Sequence, residues 1–160
     1  MFIVVMSDIH RAVARAAEIV KRCRRADLFI CLGDGSDSFI SVCNDLHVPH
    51  TEVCGNCDIF LVNKNVPNDL FLDLAGKKIF GCHGHRYGVK HDLDYLTRAA
   101  LERDADIALF GHTHMPHSEY VQRPGKDPLL LLNPGSVYEG GCFATLDIRE
   151  KYVVPNLTKL

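Results

Sequence analysis

Residues 2–6, Phe-Ile-Val-Val-Met, form an unbroken apolar run rich in β-branched side chains, the pattern of a strand covered on both faces. Between about residues 11 and 25 the period changes. Ala12, Ala16, Ile19 and Cys23, joined by Val13 and Val20, recur at helical spacing. The opposite face carries Arg11, Arg15, Lys21, Arg22, Arg24 and Arg25 and reads as a solvated helix face. Asp27–Leu32 returns to a strand, and Phe39, Val42, Cys43 and Leu46 then mark one side of a short helix. A strand is expected near 50–54. Phe71–Leu74 and Lys78–Phe80 flank Ala75-Gly76-Lys77 as a hairpin. A helix over about 89–102 precedes a strand at 106–110. The last third holds strands at 118–123, 129–132, 142–148 and 152–154, with Pro124-Gly125-Lys126-Asp127 as a turn. Early alternation of strands and helices, then hairpins, predicts an α/β sandwich with a mixed sheet. No linker, repeat or low-complexity segment interrupts it, so residues 1–160 are expected to form one domain.

Composition narrows the function classes. The 18 Lys+Arg nearly balance 20 Asp+Glu, and a net charge of −2 removes the broad electrostatic case for a nucleic-acid or anionic-membrane binder. Seven cysteines, an odd number, sit mostly in apolar runs, which points to a reducing compartment. The start lacks a basic leader, and no apolar run approaches the ~20 residues of a membrane span. A cytoplasmic location is expected. The anomaly is nine histidines, half the number of all Lys and Arg.

The residues just past each strand account for five of the nine, and His47, His50, His91 and His117 read as surface residues. The strand ends are continued by Ser7-Asp8-Ile9-His10, Gly33-Asp34-Gly35, Gly55-Asn56-Cys57-Asp58, Cys82-His83-Gly84-His85 and Gly111-His112-Thr113-His114. Each alone is an ordinary turn. Together they deliver oxygen and nitrogen donors to one sheet edge, where open α/β sheets bind ligands. Asp8, His10, Asp34, Asn56, His83, His112 and His114 make a borderline N/O donor set suited to Mn, Fe, Co, Ni or Zn rather than Ca. Seven donors exceed one tetrahedral ion and suit two metals. Such a pair can generate a hydroxide near neutral pH and clamp phosphoryl oxygens.

In order and spacing these motifs resemble the signature of the calcineurin-like metallophosphoesterase family, from Met1 to about residue 145. The short length, Gly55-Asn56-Cys57-Asp58 and Asn133-Pro134-Gly135-Ser136 are similar to its small bacterial and archaeal phosphodiesterases. The resemblance implies a β-sandwich flanked by helices with a dinuclear site at the strand C-terminal ends. It implies that Asp8, His10 and His114 hold one metal, that Asn56, His83 and His112 hold the other, and that Asp34 bridges. It further implies two divalent ions, manganese foremost, a homo-oligomer (dimer or tetramer), and attack on a phosphodiester by a hydroxide shared between the ions. Asp34, Asn56, His83, His85 and Cys57 are the expected catalytic set, with Arg11 an open candidate. Neither stable nucleic-acid binding nor a membrane is expected. One departure matters. Where the wider family has Gly-Asn-His, this chain has Cys57, and a thiol of reference pKa ~8.5 is a poorer acid than imidazolium. A phosphomonoesterase or nucleotidase is the alternative activity. A non-catalytic scaffold of the same fold is the alternative class, opposed by the presence of all seven donors.

Overall fold

The computed structural model describes residues 1–58, 65–149 and 152–160. Two five-stranded mixed sheets stack face to face, with helices on their outer sides. The first runs β10-β9-β1-β2-β3 and comprises β1 (Phe2–Met6), β2 (Leu28–Cys31), β3 (His50–Glu52), β9 (Cys142–Ile148) and β10 (Val153–Lys159). The second runs β4-β5-β6-β8-β7, from β4 (Asp69–Leu74), β5 (Lys77–Cys82), β6 (Ile107–Leu109), β7 (His117–Arg123) and β8 (Lys126–Asn133). β1, β2 and β3 are mutually parallel, as are β5, β6 and β8.

Strand periodicity builds three apolar layers, because alternate side chains point to opposite faces. Ile3, Val5, Ile30 and Leu32 turn inward against Ile79, Ile107, Leu109 and Leu130 of the other sheet. Val4, Met6 and Phe29 turn outward and pack on Ala16, Ile19 and Val20 of α1 (Val13–Arg22) and on Phe39 and Val42 of α2 (Ser36–Leu46). Phe80, Ala108 and Leu131 cover the far side against Leu96, Ala99 and Ala100 of α3 (Asp94–Glu102). A strand with two buried faces must be apolar throughout, and β1 and β2 are. Among the described residues no helix is long and apolar enough to cross a membrane.

The boundaries differ from expectation where the chain has local reasons to turn. α1 begins at Val13, after His10 at a positive φ of 47°. α3 begins at Asp94 instead of residue 89. Gly88 takes φ 65°, and the Asp92 carboxylate accepts from the Asp94 N–H at 3.0 Å, an Asx turn that starts the helix late. The 124–127 turn tightens to Pro124-Gly125, with β8 starting at Lys126. β10 runs to Lys159 past Pro155, which an edge strand tolerates. A short helix α4 (Val137–Gly140) adds an element that the hydrophobic period does not predict. Its Ser136 hydroxyl accepts from the Glu139 N–H at 3.1 Å, so Ser136-x-x-Glu139 is its signal.

Candidate metal centre

The parallel strands of both sheets end on one edge, and the five motif loops meet there. They are laced together by backbone bonds. Asp8 N–H donates to the Gly33 carbonyl at 3.0 Å, His10 N–H to the Asp34 carbonyl at 2.8 Å, and Gly111 N–H to the His83 carbonyl at 3.0 Å. Aiming the side chains costs backbone strain. Among the described residues eight non-glycine residues have positive φ, and five of them are Asp8, His10, Asp34, His112 and His114. Each costs roughly 1–3 kcal/mol unless local bonding offsets it, which marks the edge as built for something other than stability. Close approach explains the adjoining glycines. Gly33 takes φ 94°, and a Cβ there would stand 2.6 Å from the Gly55 nitrogen.

Hydrogen-bond logic then defines the centre. The Leu32 carbonyl can only accept, so His83 Nδ1, 2.7 Å away, must be the donor. A neutral His83 therefore turns the lone pair of Nε2 toward Asn56 Oδ1 at 3.1 Å, His112 Nδ1 at 3.2 Å and Asp34 Oδ2 at 3.4 Å. Glu139 imposes the same order on its neighbour. Its Oε1 takes the Nδ1–H of His114 at 2.7 Å, leaving Nε2 to face Asp8 Oδ1 at 3.2 Å. That Asp8 oxygen is buried and accepts no hydrogen bond among the described residues. Acceptor faces acceptor at both points, so a proton or a metal cation must lie between them. Three donor groups result among the described residues, Asp8–His10–His114, Asp34–His83–His112 and, linking them, His10–Asp34–Cys57, each with ligand atoms within 4.8 Å of one another. Asp8 and Asp34 are fully or nearly fully buried, as is His83. The residues fit divalent cations.

The electrostatics agree. Burial pushes the Asp8 carboxyl up, against the pull of His83. Burial also opposes ionisation of Asp34, but the His83 contact and the Cys57 N–H, at 2.7 Å, outweigh it and hold that carboxyl well below the usual range. For His83 burial favours the neutral ring, yet Asp34 and Asp8 raise it above its ordinary value. The pocket therefore draws positive charge. His112 is lowered to about 4 by burial and by His83, so it stays neutral at physiological pH.

All seven motif donors meet at this centre, and the two further candidates lie at its margin. Cys57 is exposed, with Sγ within reach of His10 and Asp34. Partial desolvation of the sulfur and then Asp34 push its thiol up to about 11. The His85 ring lies 5.4 Å from that of His83 and 6.0 Å from that of His112. Its Nδ1 is buried without a partner among the described residues. Arg11 is exposed in a hollow with His10, His114, Tyr138 and Glu139.

Against known proteins, the profile of the calcineurin-like phosphoesterase superfamily domain matches residues 1–151. The chain belongs to this superfamily. It is a metallophosphoesterase, a metal-binding hydrolase of phosphoesters. Probable metallophosphoesterase YsnB of Bacillus subtilis (strain 168) is 33% identical over 138 residues, 86% of this chain and 75% of that protein. A Streptococcus pneumoniae TIGR4 protein described as a predicted phosphoesterase superimposes with a TM-score of 0.80 at 27% identity, covering 99% of this chain and 88% of that one. An archaeal phosphodiesterase shares the fold at a TM-score of 0.74 and 24% identity, covering 99% of this chain and 100% of that one.

The metallophosphoesterase centre also depends on residues outside the seven donors. The Asp58 carboxylate accepts from Asp34 N–H and Gly35 N–H at 2.8 Å and from Ser36 Oγ and Gly55 N–H at 2.9 Å, tying two motif loops together. Buried Asn133 donates to the Gly111 carbonyl at 2.9 Å and to Thr113 Oγ1 at 3.0 Å, steadying the loop of His112 and His114. Asp58 closes the Gly55-Asn56-Cys57-Asp58 motif, but its carboxylate reaches back to the Gly55 N–H and across to the Asp34 loop, contacts that its spacing in the chain does not announce.

Proposed function

We propose that this metallophosphoesterase is a phosphodiesterase working with two divalent cations, manganese foremost. Asp8, His10 and His114 would hold one ion, and Asn56, His83 and His112 the other, with Asp34 shared. The observation that carries this reading is the pair of adjoining donor groups in which imidazole lone pairs face carboxylates. Two carboxylates offset only half the charge of two divalent ions, leaving the centre attractive to a phosphoester anion. When bound, the ions supply Lewis acidity that activates water and stabilises charge on phosphoryl oxygens.

The chain's own residues hold geometry and protons. Leu32 and Glu139 fix the ring orientation of His83 and His114, so that each presents Nε2 inward. Cys57 keeps its proton at neutral pH and offers little to a departing alkoxide. Efficient turnover is therefore expected for esters with good leaving groups. The fold shared with an archaeal phosphodiesterase supports the diester reading over the monoester one.

Hydrolysis of chromogenic diesters and monoesters by manganese-loaded protein, with metal content measured alongside, tests the proposal. Two ions per chain and a higher kcat/KM on the diester are expected. Two bound ions with neither ester cleaved would overturn the activity. Cleavage of the monoester alone would favour the nucleotidase alternative.

A further inference from the structure

Beside the metal centre lies a groove of about 570 Å³, between residues 89–93 and the 113–117 loop. Val89, Leu93, Phe110, Met115 and Pro116 give it an apolar lining. It adjoins the centre at two points. Thr113 stands between His112 and His114, and Val89 packs so tightly on Gly84, next to His83, that a Cβ there would lie 2.7 Å from Val89 Cγ2. Met115 is 71% exposed over this groove, an unusual position for a large apolar side chain with nothing on it. Lys90 and Asp92, also in the lining, put one cation and one carboxylate beside the apolar surface. An apolar wall beside a centre that draws cations suits a ligand whose body is apolar and whose end is anionic.

The opposite flank differs. The hollow there is about 330 Å³, and Arg11 and Glu139 line it beside His10, His114 and Tyr138. With Glu139 paired to His114 and Arg11 exposed, that hollow is charged, and burying an apolar group there gains little.

We propose that the groove holds the ester arm that stays on phosphorus, and that this arm carries a planar aromatic group, whether a simple aryl or a nucleobase. The proposal rests on the phosphodiesterase reading above. Stereochemistry selects the arm. In an in-line displacement the leaving oxygen departs opposite the attacking one, whereas the retained ester oxygen stays equatorial, beside the attack axis, and its arm can reach a groove next to the centre. The groove adjoins the centre through Thr113 and through Val89 on Gly84. Phe110 is buried behind the wall, and the flexible thioether of exposed Met115, with Pro116 beside it, makes a surface suited to the face of an aromatic ring.

The test uses three diesters with one leaving group, p-nitrophenolate, and different retained arms: p-nitrophenyl, thymidine and methyl. The aromatic arms should show the lower KM. Met115→Ala, a change at an exposed side chain, should raise KM for the aromatic arms by about fivefold while moving the methyl ester much less. Leu93→Gln should act in the same direction. Equal KM values across the arms, or equal shifts in the variants, would overturn the proposal. A thymidine arm preferred to the aryl one identifies a nucleoside, and the reverse a simple aryl; either supports the groove. A second measurement does not need turnover. Diphenyl phosphate added to zinc-loaded protein should shift the backbone amides of residues 89–93 and 113–117. Shifts centred on Arg11 and Tyr138, no shifts, or dibutyl phosphate binding equally well would overturn it. If those shifts appear but no diester is cleaved, the phosphodiesterase reading fails and the groove stands.

Discussion

β5, β6 and β8 end at two edges built from the same residue types to opposite purposes. Where these strands begin, each acid meets a base. Asp104 pairs with Lys78 at 2.9 Å and with Lys126, Asp106 with Arg123 at 3.0 Å, and Asp127 with Lys77 at 3.2 Å. Where they finish, Asp8 and Asp34 have histidines and no Lys or Arg partner among the described residues. The first edge closes its charges internally and lies in solvent. The second buries two carboxylates and leaves their countercharge to be brought from outside. Internally paired charge makes structure, whereas buried charge paired only to lone-pair donors makes a site for a cation.

The largest effect on this contrast should come from Asp34→Asn. Removing the shared carboxylate is expected to lower kcat/KM by more than about 100-fold and to weaken both ions; metal analysis beside kinetics checks it. Two tightly held ions with full activity would remove Asp34 from that role. Asp58→Ala comes next, because it strands several buried donors at once. A loss of about 2–4 kcal/mol is expected, read from denaturant unfolding of metal-free protein, with activity falling as the Asp34 loop loosens. Glu139→Gln leaves the fold and an acceptor for the His114 Nδ1–H but removes the charge that makes the imidazole more basic, and should weaken one ion by about tenfold in a competition titration.

Cys57→His restores an imidazole and should narrow the gap in rate between esters with good and poor leaving groups. A rate series over phenols of different pKa measures it, and an unchanged slope would take position 57 out of leaving-group chemistry. The smallest effect belongs to the opposite edge. Lys126 and then Lys78 hold the Asp104 carboxyl at about 2. Its folded value lies below the unfolded one, so its contribution is present above about pH 4 and fades as pH falls toward 2. Asp104→Asn should remove that part of the acid dependence of unfolding, shrink with added salt and leave activity untouched.

Much of the fold is legible in local pattern. The two-faced apolar runs of β1 and β2 and the spacing of Ala16, Ile19 and Val20 depend only on period, and those elements stand where the pattern places them. The late start of α3 is hidden because Val89 and Leu93 are apolar at helical spacing while packing from a turn. Leu93 therefore counts toward the pattern without belonging to the helix. α4 is hidden by its length, since one turn carries no period to read.

The chain order alone is enough to name seven donors, because a donor placed after a strand end goes to the edge where that strand finishes. Sequence distance does not disclose which donors oppose each other. Leu32 orients His83 across 51 residues and Asp8 touches His114 across the two sheets. Nor does it disclose the groove, whose walls come from segments 89–93 and 113–117 and whose location beside the centre depends on how β5 and β6 end. Periodicity is a property of neighbours along the chain and sets the elements. Opposition of lone pairs, burial of charge and the shape of a cavity are properties of neighbours in space, and only packing creates them.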